Sequence, residues 1–201
     1  MTGIYIATED SLSESIADRL VAEAGNRVHI AVRMGNRGFG YLRKKLPDLA
    51  QLAQNIPVFL LTDLDNCTCS PSLIASWCGG TVLPSKMLFR VAVREVEAWL
   101  LADREGFSEF SGVPRNKISQ APESLKDPKS ELFRIVSRFG RKSVKGDLLP
   151  ASGGVTKVGL AYNAALGSFV RASWDPARAA ASAESLARAR ARLKALVVMR
   201  K

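Results

Sequence analysis

The sequence predicts an α/β fold: a mostly parallel sheet flanked by helices, with a helical extension at the carboxyl end. Three observations carry that prediction. Short apolar runs alternate with stretches of helical spacing up to about residue 100, the order expected of strands linked by crossover helices. The run Val58-Phe59-Leu60-Leu61 is opened by Pro57 and passes into Asp63-Leu64-Asp65, which is how a strand buried on both faces reads. Beyond Val93 the alternation stops, and prolines and helical patterns take over.

Gly3-Ile4-Tyr5-Ile6-Ala7-Thr8 reads as a first strand that ends at Glu9-Asp10. Ser11 or Ser13 is placed to cap the next helix, with Glu14 three residues after Ser11 as a capping-box partner. Ile16, Leu20 and Val21 give that helix its apolar stripe, and Gly25-Asn26 ends it. Residues 28–32 are a second strand, and Gly35-Asn36-Arg37-Gly38-Phe39-Gly40 is a glycine-rich loop. Residues 41–55 form a second helix, with Leu42, Leu46, Leu49 and Leu52 at helical spacing and Pro47 as a point of breakage. The strand that closes near Asp63 comes next, then a short helix at 73–77 and a fourth strand at 87–93. Residues 95–103 look helical. The segment 104–153 is interrupted by Pro114, Pro122, Pro128 and Pro150, leaving one helix at 130–139; two more are expected at 157–172 and 180–198. Two domains are expected: an α/β domain at 1–103 and a basic, mostly helical extension at 104–201.

A hydrophobic fraction of 47% and a charged fraction of 24% are those of a globular chain. No apolar run of about 18 residues occurs, so no membrane span is expected. The start lacks a basic n-region and meets an acid at Glu9, so no secretory signal is expected. Cys67, Cys69 and Cys78 are odd in number; with the missing signal they predict reduced thiols and a cytoplasmic location. The net charge of +10 is unevenly placed. Residues 1–100 carry ten basic and ten acidic side chains, whereas residues 101–201 carry nineteen and nine. That asymmetry predicts a polyanionic partner such as nucleic acid.

Three acidic clusters fall at the carboxyl ends of the expected strands: Glu9, then Asp63 with Asp65, then Glu95 with Glu97. Parallel sheets of this kind bind ligands at that edge. Side chains two apart on an extended strand point the same way, so Asp63 and Asp65 are expected to converge. Carboxylates gathered at one point repel unless a cation compensates them. An all-oxygen donor set favours a hard ion, Mg²⁺ or Mn²⁺, and such ions serve phosphoryl transfer. Glu95 and Glu97 face different ways on a helix. Both reach the site if they straddle a strand-to-helix junction; Glu95 can instead accept from a helix N-terminus. The glycine loop lacks the spacing of a dinucleotide fingerprint. It can shape a phosphate approach with Arg37 or serve as a simple turn. His29 is the sole histidine, so Cys67, Cys69 and Cys78 lack a fourth zinc ligand. Lys129 and Lys157 are the lysines considered as partners for transition-state charge, against an ordinary surface role. Trp99 and Trp174 are expected as core anchors.

Glutamate after a first strand, followed by Asp-x-Asp after a later one, resembles the Toprim domain of topoisomerases, primases and related nucleases. The resemblance implies that Glu9, Asp63 and Asp65 bind Mg²⁺ for phosphodiester chemistry. It departs at Asp10, where the family has glycine. The segments 61–65 (Leu-Thr-Asp-Leu-Asp), 94–103 (Arg-Glu-Val-Glu-Ala-Trp-Leu-Leu-Ala-Asp), 127–129 (Asp-Pro-Lys) and 174–176 (Trp-Asp-Pro) are similar to a bacterial branch of Toprim-like proteins. Relatives of that branch include nuclease partners in phage-defence and overcoming-lysogenization-type systems. An acid two positions before an aromatic recurs there, which favours Glu97 over Glu95 as a further metal ligand or as the general base. The resemblance therefore implies a Mg²⁺-dependent nuclease acting on DNA or RNA. Its rival is a Toprim-like module without catalysis that docks on a partner ATPase.

Overall fold

The computed structural model describes residues 2–151 and 156–198. Its first part is the expected alternation: β1 (Thr2–Thr8), α1 (Ser11–Glu23), β2 (Val28–Gly35), α2 (Phe39–Leu52), β3 (Val58–Asp63), α3 (Ser70–Cys78) and β4 (Met87–Ala92). The fold is α/β. The four strands form one all-parallel sheet in the order β2-β1-β3-β4. The chain steps from β1 to β2 on one side and crosses back to β3 on the other. The order therefore reverses between β1 and β3, the place where an open parallel sheet offers a crevice to a ligand.

Both faces of the sheet are covered. Leu42, Leu46 and Leu49 of α2, with Leu73 and Trp77 of α3, pack on Val58, Leu60, Phe89 and Val91. The alternate strand residues Ile6, Phe59, Leu61 and Leu88 are equally buried and face the other way, where α1 lies along β1, β2 and β3. Each such side chain contributes about 1.5–3 kcal/mol by leaving water. Pro47 does not break α2, which runs through it. One backbone bond is lost there, and the buried leucines on either side hold the helix in place.

α1 is capped one residue earlier than expected. Asp10, not Ser11 or Ser13, is the N-cap, and its carboxylate accepts the Ser13 N–H at 2.8 Å.

The later elements are α4 (Val96–Ala102), α5 (Arg104–Ser111), α6 (Pro128–Phe139), α7 (Lys142–Leu148), α8 (Tyr162–Ala172), α9 (Pro176–Ala179) and α10 (Glu184–Val198), with 3-10 turns at Arg115–Lys117 and Pro122–Ser124. More of 104–153 is helical than the prolines suggest. Pro128 sits at a helix start, where a missing N–H costs nothing, and Asp103 caps α5. The helices expected at 157–172 and 180–198 begin later, as α8 at Tyr162 and α10 at Glu184.

The chain divides into two compact units, Met1–Val93 with Ser185–Lys201, and Arg94–Glu184. This division differs from the boundary expected at 103/104. Every residue of α4 is buried, Glu97 included, and a helix buried on every side belongs at the centre of a core. That core is the second unit's: α4 packs with α6, α9 and the turn at Pro122–Ser124. Trp99 and Trp174 are both fully buried there, the indole N–H of Trp174 donating to the Trp99 carbonyl at 3.2 Å. α10 instead returns to the first unit, where Arg190 forms a two-pronged pair with Glu23 of α1 and Lys194 joins it at 3.0 Å. Among the described residues no helix is long and apolar enough to cross a membrane.

Candidate functional site

β1 and β3 are neighbours, and their carboxyl ends carry Glu9 and Asp63. The Glu9 carboxylate reaches across between them. Its Oε1 accepts the hydroxyl of Thr62, and also the backbone N–H of Asp63 at 3.0 Å. Thr62 is 1% exposed, so its hydroxyl needs that acceptor. Thr62 is a site residue that sequence reasoning passed over. The signal was there: a hydroxyl directly before the acid at a strand's end.

Burial pushes the Glu9 carboxyl above its ordinary value. The bonds from Thr62 and Asp63 pull it back, and the negative charges of Asp65 and Asp10 add to the rise. Proximity to Asp65 and Asp10 is thus felt at Glu9 as repulsion.

Asp63 and Asp65 do not follow one another along an extended strand. β3 ends at Asp63; Leu64 is buried in the core beneath α2 and α3; Asp65 is exposed and lies in the left-handed region at φ 50°. Asp tolerates that conformation better than most residues. The turn, not the strand pleat, places the second aspartate.

The glycine-rich loop opens α2, with Gly38 at its N-cap position. It also fixes Glu9. The N–H of Asn36 donates to the Thr8 carbonyl and that of Gly38 to the Glu9 carbonyl, both at 3.0 Å. Gly35, at φ 132°, approaches Thr8 so closely that a Cβ would stand 2.0 Å from its carbonyl oxygen. Arg37 lies over the Tyr41 ring, 5.2 Å from its centroid. Asp10 is the cap of α1.

Glu95 and Glu97 belong to the second unit, and their carboxylates meet protein donors within it. Glu95 is the N-cap residue of α4, and its Oε2 accepts the Lys129 N–H at 2.9 Å in the first turn of α6. This is the helix N-terminus alternative. Glu97 is buried, accepts the Tyr162 hydroxyl at 2.6 Å and has the Lys129 ammonium at 3.6 Å. That ammonium also sits over the Tyr162 ring, 4.7 Å from its centroid. Burial first, then the charge of Glu97, pushes the Glu95 carboxyl up to about 7, against the lowering effect of the Lys129 N–H. Lys129 is thus a partner of Glu97, whereas Lys157 is exposed. Tyr162 was not anticipated; its sequence neighbourhood carries no signal, since Glu97 lies 65 positions away.

Among the described residues no three His, Cys, Asp or Glu side chains are grouped so as to hold a metal ion. Mg²⁺ does not require such a cage: it keeps several waters and binds through one or two carboxylates plus substrate phosphate. The donor set at the edge, all oxygen and mutually repulsive at Glu9, fits that ion. Compared with family models, curated proteins and solved structures, the chain matches none.

Proposed function

We propose that this chain is a Mg²⁺-dependent nuclease that hydrolyses phosphodiesters of DNA or RNA. The observation that carries the reading is the junction of Glu9 with Asp63 at the point where the strand order reverses. Asp63 and Asp65 would hold the ion, Mn²⁺ serving in its place. When bound, a divalent ion there supplies Lewis-acid charge next to a phosphoryl group.

The chain's own residues do the rest. Hydrolysis adds water across a P–O bond; one proton leaves the attacking water, and the departing oxygen takes one up. Glu9 is assigned the first proton. Its raised proton affinity brings it nearer to the working pH of a general base. The Thr62 hydroxyl and the Asp63 N–H fix its Oε1. The loop at Gly35–Gly38 keeps the backbone of Glu9 in register with β2. Glu97, engaged by Tyr162 and Lys129, takes no part in this assignment.

The test is a cleavage assay on plasmid DNA and on RNA with Mg²⁺, Mn²⁺ or EDTA. Cleavage should require the metal, and Glu9→Gln should lower its rate by about 10²–10⁴-fold. Cleavage that persists in EDTA, or is indifferent to Glu9→Gln, overturns the reading.

A further inference from the structure

The alternation that buries Met87, Phe89 and Val91 of β4 against α2 and α3 turns Arg90 to the opposite face. Arg90 pairs in register with Leu61, two residues before Asp63, so Arg90 and Asp63 share that face. Strand rise and spacing put their backbones about 8 Å apart. β4 is an edge strand.

The Arg90 Nε is buried and finds no acceptor among the described residues. The charge that acts on it is that of Arg192, also positive; burial and that charge lower its proton affinity. Arg192 comes from α10 and donates to the Ser85 carbonyl, a neutral acceptor, at 3.1 Å. Its helix neighbours are differently placed: Arg190 and Lys194, four apart on one side of α10, share the Glu23 carboxylate as ion-pair partner. The segment Ser185–Lys201 holds six basic residues and no acidic one. A buried donor without an acceptor beside a second uncompensated cation is unfavourable for the folded chain alone. An anion carrying several acceptor oxygens removes both penalties at once, and the guanidinium fork is the group suited to phosphate.

We propose that Arg90 and Arg192 form a subsite for a backbone phosphate of nucleic acid. It rests on the nuclease reading only in naming that substrate, and it holds a phosphate flanking the one attacked at the acidic edge.

The experiment measures binding of a labelled single-stranded oligonucleotide by fluorescence anisotropy, in EDTA and at stepped salt, so that cleavage plays no part. Arg192→Ala and Arg90→Met should each weaken binding roughly fivefold at low salt and flatten the slope of log affinity against log salt by about 0.7. Arg90→Met should at the same time leave the melting temperature unchanged or raised, because it removes the unpartnered guanidinium. Affinity and slope equal to wild type in Arg192→Ala overturn the subsite. So does an Arg90→Met that loses melting temperature while binding normally. Inorganic phosphate is the second arm: if it displaces the oligonucleotide at equal phosphate concentration, the site serves free anion and the backbone assignment falls. Weakened binding in both variants without any cleavage by wild type keeps the subsite and removes the nuclease; metal-dependent cleavage with unaltered binding does the reverse.

Discussion

Glu95 carries the largest consequence of burial for a single carboxylate in this chain. Its carboxyl is pushed up to about 7 from an ordinary 4.5, first by burial and then by Glu97. Between those values the folded state holds more protons than the unfolded chain, so stability falls as pH rises through the window. The cost is absent below the unfolded value and complete above the folded one. Glu95→Gln removes the charge and keeps an oxygen for the Lys129 N–H. It should match wild type near pH 4 and exceed it at pH 8. Solvent screening of a partly exposed group holds the gain to about 1 kcal/mol, or roughly 2–4 °C. Melting curves across that range check it; a gap that does not change with pH contradicts the account. Asp103 shows how a buried carboxylate is supplied with donors. It is buried but receives four donors, from the N–H groups of Gly106 and Asp175 and both prongs of Arg178, so its charge is fully met.

At the scale of elements, the passage from β2 to α2 does the most for the candidate site. Gly35 lies where only glycine can, against the Thr8 carbonyl and at positive φ. Gly35→Ala should cost at least about 2 kcal/mol, since strain at such a backbone alone costs about 1–3, and should disturb Glu9, the residue next to the clash at Thr8. Gly40 makes the control: it lies inside α2 with open space around its Cα, and Gly40→Ala should stabilise by about 0.5–1 kcal/mol. Urea midpoints at constant m decide between the two signs. The glycines were visible in the sequence, but their division of labour was not. Gly35 is required by the pairing of β1 with β2, which brings together residues 27 positions apart, whereas Gly40 needs only its helix. The same distinction explains the rest of the reading. The strands and α2 were legible because apolar spacing is local. The cap of α1 was misjudged because Asp10, Ser11 and Ser13 compete within one turn, and backbone geometry chose Asp10. Tyr162 stayed hidden because its partner Glu97 is 65 positions away, whereas Thr62 stood directly before Asp63 and only its partner Glu9, 53 positions away, was out of sight.

At the scale of the whole chain, the basic excess of the second half does not form one basic domain. Six of its cations lie in Ser185–Lys201, which groups with the α/β unit. Sequence order could not reveal this, since the contact that returns α10 to α1 joins Arg190 to Glu23, 167 positions apart. The expectation of acids at strand ends fared differently: Glu9 and Asp63 do share one edge, because in a parallel sheet every strand ends on the same side. The central claim is that this edge takes a divalent ion, and the most direct test is the melting temperature with and without Mg²⁺ at matched ionic strength, for wild type and Asp65→Asn. Asn keeps the shape and tolerates the left-handed backbone of position 65. At about ten times its dissociation constant, Mg²⁺ should stabilise wild type by about 1.4 kcal/mol, or roughly 3–6 °C, and the rise should shrink or vanish in Asp65→Asn. Equal rises in the two proteins, or none in wild type, would contradict the account.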